Sequence, residues 1–373
     1  MNRRDAIRRV AAASAAIALP AWAQSSRIVL GQSAAFSGPA AQLGIQMNKG
    51  AKIFFDQLNA SGGVNGQTVE LRTLDDGYEP DRCKANTEKL IKDDVFALLG
   101  YVGTPTCVAA LPLVNDAKIP FFGPFTGAEV LREPFSKWVF HLRASYYDET
   151  GLIVKQLTSL GLKKIAVFYQ DDAYGKAGLE GVKRAQAARP RASGAGHRAA
   201  QHRGRRQGGG GDRAQGPGRR RADQRLQVLR GLHPRSAQGR LRRHLLQRVV
   251  RRHAGAGRRA GPRGPRHHGQ PVMPFPFSTT TPISREYLEA VAKAGPDAQP
   301  NYSSMEGYLS AKVLTEGLRR AGRNPSREAL VSGLESIQNA SFGGFRVDFS
   351  AKDHTASTFV EVSMLTEDGK VRR

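Results

Sequence analysis

The stretch "RIVLGQSAAFSG" (27–38) decides the fold. Its first half is apolar and partly β-branched, as a buried strand requires. Its second half is Ser, Ala and Gly, which end the strand in a loop. The next residues are helical. In "QLGIQMNKGAKIFFDQLNAS" (42–61), Ile45, Ile53, Phe54 and Leu58 recur at helical spacing, and Gly62-Gly63 stops the run. Strand, small-residue loop and helix make one βα unit.

The unit repeats. "TVELRTL" (68–74) alternates as a strand, Asp75-Asp76-Gly77 turns the chain, and a helix is predicted from Pro80 to Lys92. "VFALLG" (95–100) reads as a buried strand, "TPTCVAALPLVNDA" (104–117) as a helix, and "IPFFG" (119–123) as a strand. "KWVFHLRA" (137–144) and "KKIAVFYQ" (163–170) are further strands, with a helix over 148–160 between them. This alternation predicts an α/β fold, a parallel sheet flanked by helices. Such sheets bind ligands in loops beyond the carboxyl ends of their strands, here 33–38, 101–104, 124–127 and 170–175. Order resumes near "PVMPFPFSTTTPISREYLEAVAKAG" and continues through the long amphipathic helix "NYSSMEGYLSAKVLTEGLRRAG".

Between these halves lies 189–269, which holds 23 of the 57 Lys and Arg residues, all arginine, and two acids, Asp212 and Asp223. The block therefore carries +21 of the +25 net charge, and the rest of the chain implies no special partner. It has no Lys, Glu, Thr, Ile, Met or aromatic residue, yet seven of the nine histidines. That bias is what a GC-rich gene yields when read one base out of frame. "LLQRVVRRHAG" (245–255) can be back-translated so that a one-base shift reads Phe-Tyr-Asn-Val-Ser-Phe-Val-Gly-Thr-Gln. The alternative is a selected basic insert. A frameshifted block is expected to be disordered, because it has too little apolar surface to offset backbone ordering.

The start, "MNRRDAIRRVAAASAAIALPAWA" (1–23), has four arginines, a short apolar run and Ala21-Trp22-Ala23, an A-x-A cleavage pattern. It predicts export by the Sec or twin-arginine route, with cleavage near Ala23. The two cysteines, Cys83 and Cys107, sit early in consecutive predicted helices. In an oxidising compartment they are expected to pair as a disulfide, two separate buried thiols being the alternative.

Taken together, "IVLGQSAAFSGPAAQLG", "LRTLDDGYEPDR", "FALLGYVGTPTCVAALP", "IPFFGPFTGAEVLR", "IAVFYQDDAYGKAG" and "EGYLSAKVL" resemble the periplasmic solute-binding proteins of branched-chain amino-acid (Leu/Ile/Val-type) ABC transporters. The resemblance covers about 27–183 and 270–373. It implies a two-lobe type I periplasmic-binding fold that closes on a ligand in the cleft. Lobe one would be 27–144 plus 275–350. Lobe two would be 145–188 plus 351–373, missing the half that 189–269 replaces. Ligand binding is then expected to fail, because only one wall of the cleft would remain.

The candidate ligand residues follow from chemistry and resemblance together. Thr104-Pro105 reads as a helix N-cap with Pro at N1, and a helix start offers free N–H groups to a carboxylate. The resemblance matches the Gly103–Thr104 turn, in the loop that begins at Tyr101, to the family's carboxylate loop. Thr126 and Gly127 fall in a loop the family uses for ligand hydrogen bonds, although an ordinary tight turn explains them too. Tyr174 matches a tyrosine that closes over the ligand from lobe two; a core aromatic is the alternative. Leu43 stands where the family often has an aromatic contact. The family's ammonium acceptor would fall within the abnormal block, where neither Asp212 nor Asp223 is a defensible substitute.

No phosphate loop or nucleophile elbow occurs, so no catalysis, cofactor or metal is expected. His141 reads as a packed histidine. His267-His268 could bind metal in principle but falls in the abnormal block. The expected partners are a small amino acid or carboxylate and an inner-membrane permease, with no nucleic acid and a monomeric state. A ligand-sensing receptor is the closest alternative. Nucleic-acid binding through the arginine block lacks the aromatic residues such segments stack with.

Overall fold

The computed structural model describes residues 27–162, 164–188, 268–269, 271–365 and 371–372. The export segment 1–23, His267 and all but two residues of the 189–269 block lie outside the described residues.

Five parallel strands form the central sheet in the order β2-β1-β3-β4-β5: β1 Arg27–Ala34, β2 Thr68–Asp75, β3 Ala97–Leu99, β4 Phe121–Phe122 and β5 Val139–Phe140. Strand order reverses between β1 and β3. Ligands of open α/β sheets bind in the crevice that such a reversal leaves.

The connecting helices are α1 Ala41–Ala60, α2 Pro80–Lys92 and α3 Thr104–Asp116. Helices α4 Tyr146–Ser159 and α5 Ala173–Ala187 follow β5 and pack on each other. After the block come α6 Pro282–Lys293, α7 Tyr302–Ala321 and α8 Arg327–Glu335. The α2 bounds match the sequence reading. Helix α4 starts two residues earlier than expected, because Ser145 and Asp148 form a reciprocal capping box.

A contiguous core joins sheet residues Leu30, Leu98, Phe121 and Phe140 to Phe55, Met305, Leu309 and Val313 from the helices. After the block the chain packs back against the first βα unit: α7 runs along α1. Two glycines allow that approach. A Cβ on Gly50 would lie 1.9 Å from the Ser304 carbonyl oxygen, and one on Gly307 would lie 2.0 Å from that of Met47.

Two expectations fail. Residues 164–170 form no strand, and Phe168 and Tyr169 are 48% and 37% exposed. Among the described residues no strand pairs with this segment. Cys83 and Cys107 are buried free thiols, not a disulfide, although α2 and α3 pack together as expected. Burial raises both thiols instead, and the nearby Asp76 charge adds to the effect at Cys83.

Candidate functional site

The loops at the carboxyl ends of β1, β3 and β4 converge. Asp75, at the end of β2, holds the first of them. Its Oδ1 accepts from the amides of Phe36, Ser37 and Gly77, and its Oδ2 from the Ser37 hydroxyl and Arg82. Burial opposes ionisation of Asp75, but these donors hold its carboxyl well below the usual range.

In the second loop Gly103, not Thr104, is the N-cap of α3. Its φ of 108° suits glycine, and a Cβ there would lie 2.4 Å from the Tyr78 ring. Thr104 is thereby freed from capping. Its hydroxyl lies 2.7 Å from that of Thr126 in the third loop. Thr126 donates to the Tyr146 hydroxyl at 3.3 Å and accepts from the Ala128 amide at 3.2 Å. Gly127 accepts from the Tyr146 amide at 2.7 Å, and a Cβ there would lie 2.7 Å from that nitrogen. The Tyr174 ring meets Tyr146 edge-on at 5.5 Å. Leu43, Phe36 and Phe125 pack around Ala34, Met47 and Val102, an apolar patch on the same loops.

Thr104, Gly103, Thr126, Gly127 and Tyr174 thus come together, with Leu43 beside them. Tyr101 does not join them. It is fully buried in the core, with its hydroxyl 3.2 Å from Thr87 and its ring against Phe121. The expectation of a single wall also needs correcting: α5 touches α3, and Tyr146 and Tyr174 supply a second face. His141 is packed, with Nε2 on the Leu131 carbonyl. Asp172 caps α5 by accepting from the Gly175 amide. Among the described residues no three metal-ligating side chains cluster.

The sequence reading missed a charged group behind the hydroxyls. Arg143, just after β5, lies 3.3 Å from the Glu306 carboxylate of α7, and its guanidinium sits 4.5 Å over the Phe125 ring. Glu149, one turn after Tyr146 on α4, is close enough to Arg143 and Glu306 to feel both charges. Burial pushes both carboxyls up to about 7, against the pull of Arg143. "SYYDE" and "MEGY" were the available signals, but nothing in sequence spacing joins residues 149 and 306.

A switch-point cleft lined by hydroxyls and backed by buried charge defines a small-molecule-binding α/β protein. The profile of the family described as "Periplasmic binding protein" matches residues 27–196 and 263–370, and the chain belongs to that family. It is similar to an "Amino acid binding protein" of Pseudomonas aeruginosa, 28% identical over 162 residues, or 43% of each chain. It is also similar to the "Leu/Ile/Val-binding protein homolog 3" of Brucella melitensis, 26% identical over 40% of this chain and 41% of that one. The matched part thus spans less than half the length of these relatives. Among solved structures, a possible leucine/isoleucine/valine-binding protein from Rhodopirellula baltica superposes with a TM-score of 0.72 at 26% identity, covering 93% of this chain and 96% of that one. A substrate-binding periplasmic protein from Ralstonia solanacearum gives 0.69 at 27% identity, covering 92% and 99%. The fold is that of the two-lobe periplasmic binding proteins.

Proposed function

We propose that this chain is the extracytoplasmic substrate-binding component of an ABC importer for amino acids or related small carboxylates, exported to the periplasm and acting without catalysis. One observation carries the reading: the Thr104–Thr126–Tyr146 hydroxyl row at the start of α3, between two packed faces of the cleft. Hydroxyls and free helix N–H groups suit a carboxylate. The apolar patch of Leu43, Phe36 and Phe125 suits an aliphatic side chain. The names of the relatives point the same way. Calorimetry of the full chain with L-leucine tests it: binding that weakens in Thr104→Ala supports the site, and affinity unchanged by that substitution rejects it.

The block is read as a frameshifted piece of lobe two. The family match covers 27–196 and 263–370, so its gap falls within the block. The nucleotide sequence across codons 184–272 decides this. Two compensating frame changes would support it, and a sequence whose alternative frames carry stops or no strand pattern would reject it.

A further inference from the structure

The charged group behind the hydroxyl row is out of balance. Two carboxylates, Glu149 and Glu306, face one guanidinium, that of Arg143. Glu306 holds the ion pair and is 2% exposed. Glu149 Oε1 is sealed from solvent with no hydrogen-bond partner. The next cation, Arg132, is already used: it donates to the carbonyls of Arg143 and Ala144 and to the Thr355 hydroxyl. Asp148, the neighbouring acid, is tied into the α4 cap on Ser145. A carboxylate oxygen sealed from solvent without a hydrogen-bond partner is costly when ionised, and a proton or a further cation relieves that cost.

We propose that Glu149 is the cation-binding group of this cleft, and that it takes a ligand's ammonium in exchange for a proton lost to solvent. The inference rests on the cleft being the ligand site. Glu149 and Tyr146 are three residues apart on α4 and so share a face. Tyr146 touches Thr126, which touches Thr104. Glu149 is close enough to Tyr146 and Tyr174 to act on both electrostatically, so an amino acid with its carboxylate on the threonines would reach Glu149 with its ammonium past these rings. The exchange balances: the acid gives H⁺ to water, and the resulting carboxylate pairs with the ammonium. With both carboxyls raised to about 7, the proton is mostly present near pH 6 until the ligand displaces it. Tyr174, 36% exposed and edge-on to Tyr146, stands at the outer side of this path.

The test is carboxyl ¹³C NMR of the full chain labelled at glutamate, with Glu149→Gln assigning the signal. Two probes are used, L-leucine and 4-methylpentanoate, which is leucine without its ammonium. Near pH 6 the Glu149 carboxyl should be protonated in the free protein, ionised with saturating leucine and unmoved by 4-methylpentanoate. Glu149→Gln should lower leucine affinity about ten- to a hundredfold and leave 4-methylpentanoate unchanged. If Glu149→Gln does not fold, calorimetry of the unmodified chain in two buffers of different ionisation heat gives the answer. It should show close to one proton released per leucine, and none per 4-methylpentanoate. A carboxyl still protonated with leucine bound, or no proton release, overturns the inference while leucine shifts at the Thr104 methyl keep the cleft reading intact. No shift at that methyl with either probe overturns both.

Discussion

The Thr104 and Thr126 hydroxyls, 2.7 Å apart, join the loops after β3 and β4. Each is fully buried, so each proton must find an acceptor. Thr126 passes its own to Tyr146, which leaves Thr104 to donate to Thr126 in the free protein. A ligand carboxylate would be a stronger acceptor for both hydroxyls. Thr104→Ala should therefore weaken carboxylate binding by about 1.5–3 kcal/mol. Thr126→Val should cost at least as much, because it also removes the acceptor for the Ala128 amide. Calorimetry of both variants, with melting curves to confirm folding, checks the pair.

Helices α1 and α7 touch backbone to backbone through Gly50 and Gly307. Gly307→Ala should destabilise the protein by roughly 1–3 kcal/mol, since a methyl 2.0 Å from the Met47 carbonyl forces the helices apart. Gly62→Ala is the steric control: no atom would lie within 4 Å of the added methyl, although its φ of 96° adds local strain. Chemical denaturation should therefore give Gly307→Ala a cost that depends on the α1–α7 contact, whereas any cost of Gly62→Ala comes from its own backbone.

Much of the sheet was legible because each βα unit carries its own signals: an apolar run, a small-residue loop and a helix stop. Pairing was less legible. β4 and β5 are two residues each, although "IPFFG" and "KWVFHLRA" suggest longer strands. The sequence shows which residues are apolar, not how far a neighbouring strand extends beside them. At the candidate site, Thr104 was legible from its place at a helix start and Thr126 from the family resemblance, and the structure brings the two together. Tyr101 was misplaced because one residue of register separates a core ring from a cleft ring. Arg143, Glu149 and Glu306 were missed because a long-range ion cluster leaves no periodic trace.

The cysteines give a direct count. Both thiols are buried, and burial, with the Asp76 charge adding to it, pushes Cys83 up to about 12. Few thiolates are then available to react at neutral pH. A thiol reagent should label neither cysteine in the folded protein purified without reductant, and both once guanidinium is added. No labelling after unfolding would restore the disulfide.

The acid pair also sets a pH dependence in the free protein. Glu149 and Glu306 hold protons up to about 7, whereas an unfolded glutamate loses its proton near 4.5. The folded state thus binds more protons between these values, and this contribution to stability is full below 4.5 and lost as pH rises through 7. Arg143, Arg132 and Asp148 are the other charges facing Glu149. His141, kept neutral by burial, acts in the opposite sense, losing stability as pH falls below 6.5. Comparing variants separates the two. Relative to the unmodified protein, Glu149→Gln should gain roughly 1–3 kcal/mol between pH 5 and pH 8. A difference that is flat with pH would show that Glu149 is ionised throughout.

The proposal that 189–269 replaces half of lobe two bears directly on the segment 164–170. Ile165, Ala166 and Val167 are half-buried, Phe168 and Tyr169 are exposed, and no strand pairs with them among the described residues. An exposed apolar segment outside any strand is a site for dye binding, cleavage and self-association. The protein should enhance the fluorescence of an apolar dye and be cut by chymotrypsin after Phe168 or Tyr169. Phe168→Ser with Tyr169→Ser should reduce both effects. Restoring the alternative frame across 189–269 should reduce them further without touching these residues, because the new strands would cover the segment. If the restored chain binds dye and is cut as readily as the original, the block does not replace the missing half of the sheet, and the frameshift reading of lobe two falls.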